Sequence, residues 1–412
     1  MQYGLIGEKL SHSFSKEIHE SLADYEYELC EIPREELAQF LQKREFCAIN
    51  VTIPYKKEVI PYLYEISDAA KELQAVNCIV NKNGILYGYN TDYFGMRDTI
   101  LRSGKDISGK KVLILGTGGT SRTSSLVCKN LHAREIIFVS RSTKEGAVTY
   151  DEAYSLHTDA EIIINTTPVG MYPNSYASPI DLSKFTKLEA VFDAVYNPIR
   201  TQLVLDAQKR NIYAQGGLYM LVSQAVHAIE LFTNEKIDEN KTDEIYNKLL
   251  KQKENIVLIG MPSSGKTTVG KILSNDLGRE LFDLDDEIEK YIGCTIAEYF
   301  KSHNEKDFRD VETRITKEIS KKNGIIIATG GGCILREENV DALRLGGRLY
   351  FLDRALENLT PTDSRPLATK KEAIKKLYEA RYQLYLNACD VRIDGNLLPT
   401  EETSLIKKEF LK

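Results

Sequence analysis

The chain holds 412 residues, 42% of them hydrophobic, with a formal net charge of −6. That length predicts roughly two to four domains, and the apolar content excludes a disordered chain. The acidic balance argues against a nucleic-acid surface, which needs a basic excess, yet leaves room for local Arg and Lys side chains that hold anionic metabolites.

The seven cysteines run from Cys30 to Cys389 without a C-x-x-C pair, so neither structural zinc nor a disulfide framework is expected, and dispersed thiols fit a reducing compartment. The opening MQYGLIGEKLSHSF lacks a basic start followed by a long apolar run, and no stretch approaches ~20 apolar residues. A cytoplasmic protein is expected, with small-molecule substrates and no nucleic-acid or membrane partner.

Up to about residue 95 the pattern alternates between strand-like and helix-like runs, without a phosphate loop. Short polar tracts punctuate it: His12-Ser13-Phe14-Ser15, Asn50-Val51-Thr52-Ile53-Pro54-Tyr55-Lys56, Ala75-Val76-Asn77 and Asn90-Thr91-Asp92. Singly, each has a plain structural reading: Ser13 as a helix cap, Lys56 as an exposed lysine, Asn77 and Asp92 as turn formers. Next, the apolar run from Lys111 enters Gly116-Thr117-Gly118-Gly119-Thr120-Ser121, an imperfect G-x-G-x-x-G in which Ser121 holds the third glycine's place. Strand, glycine turn and helix start open a nucleotide-binding α/β unit. Buried-strand candidates follow at 135–140, 161–167 and 190–196, alternating with helix-like stretches, which predicts a parallel doubly wound sheet. A dinucleotide site for NAD carries a carboxylate after its second strand. Here that strand ends Val139-Ser140-Arg141-Ser142-Thr143-Lys144. Arg141 and Lys144 suit a 2′-phosphate, which favours NADP, against the plainer reading of two surface cations.

Residues 233–255 are highly charged, lack a strong apolar stripe and read as a partly helical linker. Beyond them, Asn255 begins a second apolar strand that runs into Gly260-Met261-Pro262-Ser263-Ser264-Gly265-Lys266-Thr267, a G-x-x-x-x-G-K-[ST] phosphate loop in its required context. Backbone N–H groups of such a loop cradle phosphate oxygens, Lys266 neutralises them, and the Thr267 hydroxyl is a ligand for Mg²⁺. Phe282-Asp283-Leu284-Asp285-Asp286 reads either as metal and substrate ligands or as an acidic helix start. Phe308-Arg309-x-x-Glu312 alone reads as a surface i,i+3 ion pair. Gly330-Gly331-Gly332 after a strand admits a ligand close to the backbone. Ser364-Arg365-Pro366-Leu367 reads as a lid that supplies an arginine, and Arg381 with Tyr385 closes the series.

In this order the C-terminal motifs resemble shikimate kinase. The resemblance implies that Asp285 orients the substrate hydroxyl and accepts its proton, and that Arg309 and Arg381 clamp the shikimate carboxylate beside the Gly331 backbone. It implies that Thr267 and Asp283 hold Mg²⁺, that Ser263, Ser264, Gly265 and Thr268 contact ATP with Lys266, and that Arg365 stabilises the transferring phosphoryl group. The lid is shorter than usual and lacks the extra arginine that precedes it in that family.

From the start to about residue 232 the chain resembles shikimate dehydrogenase. The match rests on the polar tracts above, the glycine loop, N-T-T-P-x-G-M at 165–171, D-A-V-Y-N-P at 193–198 and G-G-L-x-M-L-V-x-Q-A at 216–225. It implies that Ser13, Ser15, Thr52, Asn77, Tyr196 and Gln224 hold the substrate and that Lys56 and Asp92 are the catalytic pair. Gly116, Thr117, Gly118, Gly119, Thr120, Arg141, Lys144 and Gly217 then take NADPH. Lys16 and Ser140 depart from that family's usual proline and asparagine.

The expected fold is α/β throughout. A substrate-binding domain covers 1–95 with 217–235, a Rossmann domain 96–216, a linker 236–253 and a P-loop kinase domain 254–412. The expected function is NADPH-dependent reduction of 3-dehydroshikimate to shikimate followed by ATP-dependent phosphorylation, in a monomer or homodimer. The alternatives are an NAD-using quinate/shikimate dehydrogenase, against which Arg141 argues, and a non-catalytic shikimate sensor, against which the intact Lys56, Asp92, Lys266, Asp285 and Arg365 argue.

Overall fold

The computed structural model describes residues 1–10, 14–360 and 371–411. Ser13 and Arg365 therefore lie outside the described residues. The chain divides into two compact units, Met1–Asn197 with Asp206–Lys248, and Pro198–Leu205 with Leu249–Lys412.

The first unit holds two sheets. One is built from β1 (Tyr3–Gly7), β2 (Tyr27–Glu31), β3 (Ala48–Val51), β4 (Glu65–Ile66), β5 (Cys78–Lys82) and β6 (Ile85–Tyr89), in the order β2-β1-β3-β5-β6-β4. It is mixed: β1 runs parallel to β2 and β3, and the β5–β6 hairpin is antiparallel. Alternate residues of one strand feed different cores, since Ile6 and Ile49 pack on one face while Leu5 and Ala48 pack on the other. The hairpin matters for function because it presents Asn77 just before β5 and Asp92 just after β6.

The other sheet holds β7 (Lys111–Leu115), β8 (Glu135–Ser140), β9 (Ala147–Thr149), β10 (Ile162–Asn165), β11 (Ala190–Asp193) and β12 (Tyr213–Gln215). Its order is β12-β11-β10-β7-β8-β9, every pair parallel. This is a Rossmann sheet, and its order reverses between β7 and β10, the point where such sheets bind ligands. β11 stops at Asp193, short of the expected end at 196. The Asp193 carboxylate accepts from Asn165 Nδ2 and from Val195 N, both at 2.9 Å. That local acceptor turns the backbone out of the ladder and sends Ala194–Tyr196 into a loop.

The second unit carries β13 (Asn255–Ile259), β14 (Leu281–Asp283), β15 (Ile326–Ala328), β16 (Gly347–Asp353) and β17 (Val391–Asp394), ordered β14-β15-β13-β16-β17 and all parallel. Along β13, Val257 and Ile259 enter one core while Ile256 and Leu258 enter the other. A strand covered on both faces must be apolar throughout, which is why it reads as an unbroken hydrophobic run.

Residues 239–253 form a helix, Glu239–Lys253. The expected partly helical linker is in fact a packed element. Thr242, Ile245 and Leu249 are buried, a sparse stripe at helical spacing. Arg102 reaches Asp243 at 2.7 Å and lies over the rings of Tyr219 and Tyr246. No helix among the described residues is long and apolar enough to cross a membrane.

Candidate active sites

In the first unit a cavity of about 250 Å³ opens beside the carboxyl ends of β1 and β3. It gathers Ser15, Thr52, Lys56, Asn77, Asp92, Thr120, Tyr196, Gly217 and Gln224, residues scattered over most of the unit's sequence. Lys56 Nζ donates to Asp92 Oδ2 at 2.6 Å, with both side chains about a quarter exposed (29% and 23%). Asp92 begins the helix Asp92–Arg102, where a carboxylate is favoured by the helix N-terminus. Its other oxygen, Oδ1, accepts from Asn77 Nδ2 at 3.0 Å. Asn77 is itself fixed, since its Oδ1 accepts from Thr91 N at 2.7 Å. Thr91 donates on to Gln224 Oε1 at 3.3 Å. The result is a lysine ammonium held by one carboxylate oxygen, with that carboxylate locked by a buried amide.

Asn50 also lines this cavity, and it is a residue that the sequence reading quoted within a motif but gave no role. It accepts from Tyr27 OH at 2.8 Å and donates to the Asn77 carbonyl at 3.2 Å. Its place at the head of N-V-T-x-P-x-K was the available signal. Thr91, inside N-T-D, was missed in the same way.

The glycine loop after β7 fits a dinucleotide. Gly116 has φ +105°, and a Cβ there would stand 2.9 Å from Thr166 Oγ1. Among the described residues nothing lies within 4 Å of a Cβ position on Gly118 or Gly119, which leaves space for a pyrophosphate before the helix Gly119–Asn130. Lys144 Nζ donates to Thr117 Oγ1 at 3.0 Å, which brings one exposed cation to that loop. Arg141 is exposed, with its charge felt by the Tyr150 phenol.

In the second unit a cavity of about 320 Å³ is walled by Thr267, Asp283, Asp285, Arg309, Glu312, Gly331 and Arg381, among others. β14 delivers Asp283, which caps the helix Leu284–Ile292 by accepting from Asp285 N at 3.1 Å. Asp283 also accepts from Thr267 Oγ1 at 2.6 Å. Arg309 lies on the helix Glu305–Ile319, which Asn304 caps.

The Arg309–Glu312 pair, 2.8 Å apart, is not the surface pair that its spacing suggested: both side chains are under a tenth exposed. Burial pushes the Glu312 carboxyl up, and Arg309 only partly offsets this. Arg309 Nε is buried without a hydrogen-bond partner among the described residues. Arg381 Nη1 donates to the Gly331 carbonyl at 2.9 Å, and burial followed by the nearby Tyr385 and Arg309 sets its basicity, lowered on balance.

The three glycines are each demanded by a neighbour. A Cβ on Gly330 would come within 2.6 Å of Asp285 Oδ1, on Gly331 within 2.7 Å of Pro262, and on Gly332 it would collide with the Arg309 guanidinium. In the phosphate loop, Gly260 and Gly265 take positive φ, and Lys266 Nζ rests on the Gly260 and Met261 carbonyls at 2.9 Å. The buried Lys266, the inward-turned loop and the Thr267–Asp283 oxygens suit a nucleoside triphosphate.

Together these features define two nucleotide-using α/β enzymes in one chain, each with its own phosphate-binding glycine loop. Two family models match, the shikimate dehydrogenase substrate binding domain over residues 5–79 and shikimate kinase over 262–411. A shikimate dehydrogenase (NADP(+)) from Clostridium perfringens (strain SM101 / Type A) is 35% identical over 265 residues, covering 60% of this chain and 97% of the relative. A chorismate mutase/shikimate 5-dehydrogenase fusion protein from Clostridium acetobutylicum superposes with TM-score 0.57 at 36% identity, covering 60% of this chain and 96% of that one. The shikimate 5-dehydrogenase of Thermus thermophilus, solved with NADP(H) and shikimate, gives TM-score 0.55 at 26% identity over 60% of this chain and 99% of its own. The chain belongs to the shikimate dehydrogenase family over its N-terminal 60% and continues into a shikimate kinase domain, which makes it a bifunctional shikimate-pathway enzyme.

Proposed function

We propose that the first unit reduces 3-dehydroshikimate to shikimate and that the second transfers the γ-phosphoryl group of ATP to shikimate. The observation that carries this reading is the Lys56–Asp92 pair, 2.6 Å apart in a cavity that also reaches Thr120 and Gly217 on the nucleotide side.

NADPH supplies the hydride, and Arg141 and Lys144 offer cations to its 2′-phosphate. Reduction of a ketone leaves its oxygen alkoxide-like. Lys56 stabilises that charge and gives the oxygen a proton, while Asp92 holds the ammonium and accepts from the adjacent substrate hydroxyl. Ser13, Ser15, Thr52, Asn77, Tyr196 and Gln224 hold the carboxylate and hydroxyls.

In the second unit Arg309 and Arg381 bind the shikimate carboxylate, for which the guanidinium fork is suited. Asp285 orients the hydroxyl and takes its proton. Lys266 and Arg365 stabilise charge on the phosphates, Thr267 and Asp283 are the oxygen ligands for Mg²⁺, and Ser263, Ser264, Gly265 and Thr268 line the nucleotide. The substrate domain is 1–95 with 217–235, the Rossmann domain 96–216, and the kinase 254–412. The protein works in the cytoplasm as a monomer or homodimer.

The test supplies 3-dehydroshikimate and Mg-ATP with NADPH or NADH, alongside Lys56→Ala and Lys266→Ala. NADPH is expected to be preferred. Each variant should lose only its own step when that step's substrate is given directly, by about 10²-fold or more. If shikimate binds and neither step occurs, the chain is a sensor rather than an enzyme. A preference for NADH would assign the quinate/shikimate type of dehydrogenase instead.

A further inference from the structure

We propose that Arg354 is a nucleotide-binding residue of the kinase unit, meeting the polyphosphate of ATP beside Gly265 of the phosphate loop. The inference rests on the kinase reading of that unit and adds a contact made from outside the loop. β16 is the neighbour of β13, and its carboxyl end at Asp353 hands the chain to Arg354. Ligands of parallel sheets bind at such ends.

The guanidinium reaches the loop. Arg354 Nη1 is 3.8 Å from a Cβ position on Gly265, and nothing else among the described residues lies within 4 Å of that position. Gly265, at φ +96°, immediately precedes the Lys266 helix, so its amide faces the anion site.

The arginine is held by its stem and backbone rather than by its fork. Nε donates to the Asn358 carbonyl at 3.2 Å, the one hydrogen bond of this guanidinium among the described residues. Asn396 Oδ1 accepts from Ala355 N and from Asn358 Nδ2, both at 2.9 Å, and so ties the turn after Arg354 to the loop after β17. Gly395 packs so closely there that a Cβ would fall 2.9 Å from Arg354 N.

A second observation points the same way. Glu402 is 1% exposed, and neither of its carboxylate oxygens has a hydrogen-bond partner among the described residues. A buried carboxylate in that state calls for a reason. It sits in the field of Arg354, yet forms no ion pair with it within 4 Å. Glu402 thus lies within reach of the arginine's charge without occupying its forked donors. Among the described residues its Nη donors meet no acceptor, which leaves them to phosphate oxygens, the acceptors a guanidinium fork fits best.

The experiment titrates ADP, tripolyphosphate and adenosine into the full chain and into Arg354→Met by calorimetry. Shikimate binding and dehydrogenase turnover, measured on the same preparations, report an intact fold. Expected is a weakening of ADP and tripolyphosphate binding by about tenfold or more, with adenosine unchanged. ADP binding within about twofold of wild type overturns the proposal. An equal loss for adenosine overturns it too, because Arg354 would then meet the base. Wild type that binds shikimate but no ADP overturns the kinase reading itself, and this proposal with it.

Discussion

Arg309 shows how far a single residue departs from its pattern. At i,i+3 with Glu312 it looks like a surface pair of small value. Buried, the same two charges form a pair whose rupture is costly, because the partner left behind is an unpaired buried charge. Arg309→Met should therefore lower the stability of the kinase unit by about 3–5 kcal/mol in denaturant titration. Its shikimate affinity should fall as well, and Glu312→Gln should not restore it. Glu402 makes a different prediction. Burial pushes its carboxyl up, Arg354 pulls it part of the way back and Asp394 adds to the rise, which leaves it at about 7. The folded state then holds a proton that the unfolded chain releases above its ordinary value near 4.5. Between those values stability falls as pH rises, by up to ~3 kcal/mol. Glu402→Gln should remove that slope, so the gap between wild type and variant in kinase-unit melting should widen from pH 5 to pH 7. A constant gap would show that Glu402 titrates normally.

Among elements, the helices Asp92–Arg102 and Leu218–Thr233 decide the geometry of the dehydrogenase cavity. They cross where Gly95 faces the second helix, and a Cβ there would stand 2.6 Å from the Met220 carbonyl and 3.0 Å from Gln224 Cβ. One turn on, Asp98 Oδ2 takes bonds from Ser223 at 2.8 Å and His227 at 2.7 Å, pinning the same pair. The first helix starts at Asp92 and the second carries Gln224, so their spacing sets the distance between two site residues. Gly95→Ala should push them apart and cut dehydrogenase kcat/KM by about 10²-fold, since misplacement near 1 Å has that effect. Kinase turnover measured on the same chains should stay at the wild-type value, and a parallel loss there would point to general misfolding. The helix Glu239–Lys253 was legible in part, but its packing was not. Its buried Thr242, Ile245 and Leu249 are too few among charges to read as a stripe, and its anchor, Arg102, lies far back in the chain.

Across the molecule, every described wall residue of the first cavity lies in Met1–Asn197 or Asp206–Lys248, and every described wall residue of the second in Leu249–Lys412. Among the described residues neither cavity's wall draws on the other unit, so the two steps should be separable. Shikimate made by the first site is expected to pass through solution. A large excess of chains carrying both Lys56→Ala and Lys266→Ala, shown first to bind shikimate and to turn over neither substrate, should delay shikimate 3-phosphate in a coupled time course. If product formation is untouched by that excess, the intermediate is handed over directly, and fusion acts through effective concentration.

Short-range pattern along the chain carries the fold class and the family. Two apolar strands running into glycine loops set the fold class and both nucleotide sites, because strand burial and phosphate cradling each need a few adjacent residues. The ordered motifs set the family and pointed to Lys56, Asp92 and Asp285, and the same motifs contained Asn50 and Thr91 without showing what they do. Packing in three dimensions settles which charges are buried, which glycines are forced and which distant groups meet. Arg309 became a buried ion, Gly95 a helix crossing, and Arg354 a neighbour of Gly265. Those outcomes depend on contacts between segments far apart in the chain, where spacing along the sequence carries no information about distance in space.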